Sequence, residues 1–183
     1  PENGLAQPKL KSSMLPEPII VGRQNDLVQL QKYLDSALKG KGSTVLLSGE
    51  AGVGKTRLLD EFLKIAKKRK VTVLSGWCLS DAAIPYFPFV EAFDSYSSSD
   101  EDGGAAVNQR MGLKSWLVET NQSETNLRLA SSTPQVWKDQ AFAAVTKELL
   151  YLSAKKPLIL ALEDIHWADS ASLSLLHYLA RQV

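Results

Sequence analysis

Gly49-Glu50-Ala51-Gly52-Val53-Gly54-Lys55-Thr56 is the stretch on which the reading of the chain turns. Its spacing is G-x-x-x-x-G-K-[ST], and its surroundings agree with it. Ahead of it, Thr44-Val45-Leu46-Leu47-Ser48 has the length and apolar character of a short buried strand. Behind it, Leu58, Leu59, Phe62, Leu63 and Ala66 recur at helical spacing. Strand, glycine-rich turn and helix in this order aim a ring of backbone N–H groups and a helix amino end at one anion. Lys55 is placed to reach terminal phosphates, and Thr56, one residue on, to set its hydroxyl against a Mg²⁺ that bridges phosphate oxygens. The competing reading is a glycine-rich turn whose lysine is only a surface charge; the agreement between motif and flanking pattern disfavours it.

Such a loop needs a second group to hold the metal's water shell, and a carboxylate at the end of a neighbouring buried strand supplies one. Leu158-Ile159-Leu160-Ala161-Leu162 reads as that strand and ends in Glu163-Asp164. Neighbouring side chains on a strand point to opposite faces, so one acid can serve the metal while the other, where the strand ends, approaches the attacking water. Glu163 is assigned to magnesium and Asp164 to the water, with exchanged roles as the alternative. Asp169 precedes an apolar-periodic run opened by Ser170 and Ala171, and is read as a helix cap.

Working outward, residues 1–18 carry Pro1, Pro8, Pro16 and Pro18 and read as an extended lead-in, with order beginning near Ile19. Leu27, Leu30, Leu34, Ala37 and Leu38, followed by Gly40 and Gly42, predict a helix over 26–39. Val71-Thr72-Val73-Leu74 predicts a strand that arrives after a helix, as a parallel crossover requires. The aromatic cluster Tyr86, Phe87, Phe89, Phe93 and Tyr96 precedes a polar, glycine-containing stretch over 97–104 that reads as a mobile surface loop. Helices are predicted over 105–119 and 134–154, the second with Thr133 as cap and Pro134 at its first position, and a last one over 170–182. The alternation of strands and helices is that of an α/β domain with a parallel sheet.

Length and composition fit one globular domain: 183 residues, 44% hydrophobic and 22% charged. No apolar run approaches the ~20 residues that cross a bilayer, so no membrane partner is expected. A lone cysteine, Cys78, forms no internal disulfide, and the polar start lacks a signal peptide's apolar core; both point to a cytoplasmic setting. Lys64 and Lys67-Lys68-Arg69-Lys70 gather at the end of one helix, where cations complement its dipole. Trp77, Trp116 and Trp137 have no basic clusters between them and read as core or interface aromatics. His166 is read as packed under the edge of the sheet, Cys78 as a buried small side chain and Arg57 as a structural pairing residue.

Four segments carry a family resemblance. They are Ile19-Ile20-Val21-Gly22-Arg23-Gln24, close to a hydrophobic-G-R-E opening motif with Gln24 for the usual Glu; Gly49 to Arg57; Gly76-Trp77-Cys78 with Pro85-Tyr86-Phe87-Pro88-Phe89-Val90-Glu91-Ala92; and Leu162-Glu163-Asp164-Ile165-His166-Trp167-Ala168-Asp169. On these the chain resembles the AAA-type P-loop ATPases of the STAND class, with Walker A at 49–57 and Walker B at 162–169. The resemblance implies a three-layer α/β P-loop NTPase fold over residues 19–183. It implies the backbone of Val21, Gly22 and Arg23 beside adenine, and Gly49, Glu50, Ala51, Gly52, Val53, Gly54, Lys55, Thr56 and Arg57 around the phosphates of ATP or ADP. It implies slow, regulatory hydrolysis with Mg²⁺ in a multidomain signalling protein, attached sensor or effector domains, a nucleotide-dependent homo-oligomer, and nucleic acid contacted only through other domains. In that family a later strand, ending in a polar sensor residue, lies between the Walker A and Walker B strands, and lid helices follow. The chain is therefore expected to be truncated before the sensor strand and lid. The alternatives are a nucleic-acid-acting AAA ATPase, of origin-binding or motor type, and a nucleotide-binding scaffold without turnover.

Overall fold

The computed structural model describes residues 22–78, 85–98 and 134–183. Helix α1 (Gln24–Ala37) starts two residues before the predicted position, with Asp26 in its first turn and the Arg23 guanidinium bound to that carboxylate at 3.1 Å. An acid there complements the helix dipole. Helix α2 (Lys55–Lys68) springs directly from Gly54 and buries Leu58, Phe62, Leu63 and Ala66. Those side chains meet Leu30 and Leu34 of α1 in one apolar cluster. The cations at the end of α2 include Lys67 and Lys68 in its last turn, while Arg69 reaches across to Asp35 of α1 at 2.7 Å.

The sheet seen among the described residues has two parallel strands, β1 (Thr72–Trp77) and β2 (Leu158–Glu163), in register from Thr72 beside Leu158 to Trp77 beside Glu163. Strand β1 runs three residues past the predicted end. Alternation divides their side chains between two faces. Val73, Ile159 and Ala161 join the α1–α2 cluster. Leu74, Leu158, Leu160 and Leu162 pack instead with α3 (Phe87–Ser98), α4 (Pro134–Lys155) and α5 (Ser170–Ala180). Helices thus cover both faces of the sheet, as buried parallel strands require. Phe89, Val145 and Leu175 are fully enclosed on the second face, each burial contributing roughly 1.5–3 kcal/mol.

Gly76 explains how closely α3 approaches β1. A Cβ at this position would run into the carbonyl of Pro88 and press on the amide of Ala92, so the helix backbone lies directly on the strand. Residues 97 and 98 of the predicted surface loop close α3; its remainder, the predicted helix over 105–119, the Thr133 cap and the lead-in over 1–18 lie outside the described residues.

Two expectations are overturned, and a third was too general. Thr44–Ser48 is not a buried strand: Leu46 is 74% exposed, Val45 is 40% exposed, and only Leu47 packs against a core cluster. A strand exists through its ladder, and no described residue hydrogen-bonds along this run. His166 is not packed beneath the sheet; it is exposed, its ring 5.1 Å from that of Trp167. Trp77 is no core residue either, being 45% exposed and set edge-on to Phe87. No helix among the described residues is long and apolar enough to cross a membrane.

Candidate functional site

The loop between the Thr44–Ser48 run and α2 is exposed from Gly49 to Gly54 and turns on left-handed glycines, Gly52 at φ 79° and Gly54 at φ 85°. A side chain at either would be strained, although nothing lies within 4 Å of where its Cβ would stand. Conformation therefore, and not crowding, demands glycine at both. The ammonium of Lys55 folds back over the loop and donates to the carbonyls of Gly49 at 3.0 Å and Glu50 at 2.9 Å. Arg57 lies one helical turn from Glu61, 3.8 Å away, in a helix-surface pair.

Glu163 belongs to the set of β2 side chains that faces α2, since it alternates in step with Ile159 and Ala161. There the hydroxyl of Thr56 hydrogen-bonds to its carboxylate. Burial pushes the Glu163 carboxyl above its ordinary range, the Thr56 bond works against that rise, and the negative charges of Asp60 and Asp164 add to it. Asp60 was missed in the sequence reading. Its signal was its place four residues after Thr56, which sets it one turn along the same helix face.

Asp164 leaves the strand with left-handed backbone, φ 53°, and stands exposed at the head of the short 3₁₀ turn Ile165–Trp167. A non-glycine residue there is uncommon, and such strain gathers where a side chain must be aimed. Asp169 is spoken for by the helix it opens: Oδ1 accepts from the amides of Ala171 at 2.8 Å and Ser172 at 2.9 Å, and Oδ2 accepts from the Ser172 hydroxyl. Cys78 continues the ladder, its amide donating to the Glu163 carbonyl at 3.1 Å. Its thiol is buried, and burial with the charges of Asp169 and Asp164 pushes it up, away from thiolate character.

Of the residues assigned to adenine, Val21 lies outside the described residues, Gly22 is exposed at φ 78°, and Arg23 is occupied by Asp26. Among the described residues no group of three or more His, Cys, Asp or Glu is set to hold a metal. A hydroxyl and one carboxylate nonetheless suit Mg²⁺, which keeps several waters and takes further oxygens from phosphates.

Comparison with known proteins extends this local picture. The model of the AAA ATPase domain family matches residues 19–183. An uncharacterized protein of Rhizobium meliloti (strain 1021) is 28% identical over 178 residues, covering 88% of this chain and 17% of that protein. The chain thus spans about a sixth of that relative's length. No solved structure matches it. With the family match running through the glycine loop, both strands and the acidic strand tip, the chain belongs to the AAA ATPase domain family, whose α/β P-loop fold binds and hydrolyses ATP.

Proposed function

We propose that this domain is a nucleotide-dependent regulatory switch of the STAND type, which binds ATP with Mg²⁺, hydrolyses it slowly and so controls contacts with attached sensor or effector domains. Residues 19–183 form the ATPase unit in this reading, and 1–18 lead into it. The observation that carries it is the hydrogen bond between Thr56, at the first turn after the loop, and Glu163, at the tip of β2. On this reading that hydroxyl and that carboxylate serve one cation together.

The loop amides from Gly49 to Gly54 and the amino end of α2 hold the phosphates, and Lys55 exchanges its loop carbonyls for phosphate oxygens. Thr56 and Glu163 hold magnesium, which when bound neutralises phosphate charge. Asp164, aimed outward by its left-handed backbone, orients the attacking water. Val21, Gly22 and Arg23 lie beside the base. The work is positioning and charge stabilisation rather than covalent chemistry. The relative in Rhizobium meliloti supports a multidomain setting, since it is several times longer than the matched segment.

Isothermal titration of ATP in the presence of Mg²⁺ tests the reading. Lys55→Ala is expected to weaken binding by about tenfold or more, the scale of a lost charge-assisted contact. Equal affinity in the two proteins would remove the site. Turnover that rises several-fold on adding DNA or RNA would favour the nucleic-acid-acting alternative, and ATP binding with no measurable turnover in either the parent or Asp164→Ala would favour the scaffold.

A further inference from the structure

A second concavity lies where the amino-terminal part of α4 meets the last turns of α5, and none of its lining residues belongs to the loop or the acid pair. Its volume of about 590 Å³ falls in the range of small-ligand sites, ~300–1,000 Å³. Two aromatic side chains help to line it: Phe142 and Tyr178, ring centroids 5.2 Å apart and tilted by 44°. Around them stand Lys138, His177 and Arg181. Among the described residues neither Lys138 nor Arg181 makes an ion pair. Asp139, the acid nearest Lys138 in sequence, accepts instead from Gln135 at 2.9 Å.

Helix electrostatics account for only part of this positive charge. His177 and Arg181 sit at the carboxyl end of α5, where cations complement the dipole. Lys138 stands in the amino-terminal part of α4, whose first turn holds no acid, so dipole and ammonium there have the same sign. Its half-buried ammonium lies 5.4 Å from the Phe142 ring centroid, a contact of about the same size as that repulsion.

We propose that this groove binds a small organic anion with a flat apolar body: the rings take the body, and Lys138 and Arg181 take the charge. A long polyphosphate suits it less well, because the groove is walled by side chains and has no glycine cradle to offer backbone amides.

The probe is 2-naphthoate, titrated into the full chain by calorimetry, with uncharged 2-naphthalenemethanol as its isostere. Saturable one-to-one binding of naphthoate is expected, at least about tenfold tighter than the alcohol and weakened about tenfold in Lys138→Ala/Arg181→Ala. Binding should persist in Lys55→Ala and at saturating ATP, which separates this groove from the nucleotide loop. Should the double variant lose its native circular dichroism, Lys138→Gln and Arg181→Gln singly serve the same comparison. Absent or unsaturable binding, equal affinity for the alcohol, indifference to the cation substitutions, or displacement by ATP would each overturn the proposal.

Discussion

The Thr56 hydroxyl and the Glu163 carboxylate share a hydrogen bond, although one belongs to the first turn of α2 and the other to the last residue of β2. A single bond thus ties the glycine loop to the acidic strand tip before any cation is considered. Removing it separates two roles that Lys55 and Thr56 otherwise share. Thr56→Ala leaves the Lys55 ammonium and the loop glycines in place, so ATP affinity measured without magnesium should change by less than about threefold. The gain in affinity on adding Mg²⁺ should fall by about tenfold, the scale of one hydrogen bond to a charged group. A loss of equal size with and without magnesium would mean that the hydroxyl serves the loop's conformation and not the metal.

Glu163 also gives a pH signature. Its carboxyl is raised by burial and by Asp60 and Asp164, so the folded chain holds this proton more tightly than the unfolded chain does. Stability from this group is therefore fully present below the ordinary carboxylate range and is lost as pH rises through the raised value. Glu163→Gln keeps an acceptor for Thr56 and removes the charge. In the absence of nucleotide it should melt a few degrees above the parent at pH 8, with the gap closing as pH is lowered toward 4. With ATP and Mg²⁺ the order should reverse, because only the parent offers an anionic ligand. A gap that stays constant with pH would mean that the charge of Glu163 is not what the substitution relieves.

What was legible in the sequence was what local pattern determines. The 3.6-residue period of Leu27, Leu30 and Leu34 gave α1 to within two residues, and that of Leu58, Phe62 and Ala66 declared α2, since an apolar stripe needs only its own spacing to declare a helix. The Asp169 cap was legible for the same reason: its carboxylate satisfies two amides within three residues of itself. Thr44–Ser48 was misread because an apolar run states a need for burial and does not supply the ladder partner that makes a strand. The exposure of Trp77 and His166 depends on how chain segments distant in sequence cover the strand ends, which composition does not encode. Asp60 carries no motif; its spacing from Thr56 sets it on the same helix face, and the fold brings its charge to bear on Glu163.

Gly76 offers a test of packing. It lies one residue before the end of β1, and a side chain there would meet the Pro88 carbonyl and the Ala92 amide, which are backbone and yield only if all of α3 moves. Gly76→Val should destabilise the chain by about 1–3 kcal/mol or more, as overpacking of a filled interior does. For a domain of this size the midpoint should fall by roughly 2–4 °C per kcal/mol. Helix α3 also carries Phe89 and Phe93 into the core beside Leu74, so near-ultraviolet circular dichroism should weaken along with the melting temperature. An unchanged melt would show that α3 can retreat from β1 at no cost.

Asp164 poses the question of why strain is kept. Its left-handed backbone, φ 53°, costs on the order of 1 kcal/mol for most side chains, somewhat less for Asp or Asn and little for glycine. The carboxylate is exposed, so burial gives it no reason to stay, and the helix cap that follows is made by Asp169 and not by Asp164. If the side chain serves stability, Asp164→Gly should lower the melting temperature. If it serves chemistry, Asp164→Gly should melt at or slightly above the parent, and Asp164→Asn within about 1 °C of it. In both variants ATP turnover should then fall by about a hundredfold or more while ATP affinity stays within threefold, as for a group that acts only on the attacking water. The two variants together isolate the charge, because Asn tolerates the same backbone and keeps the shape, whereas Gly relieves the backbone and keeps neither. Turnover preserved in Asp164→Asn would hand the catalytic task to Glu163, the role exchange that the sequence left open.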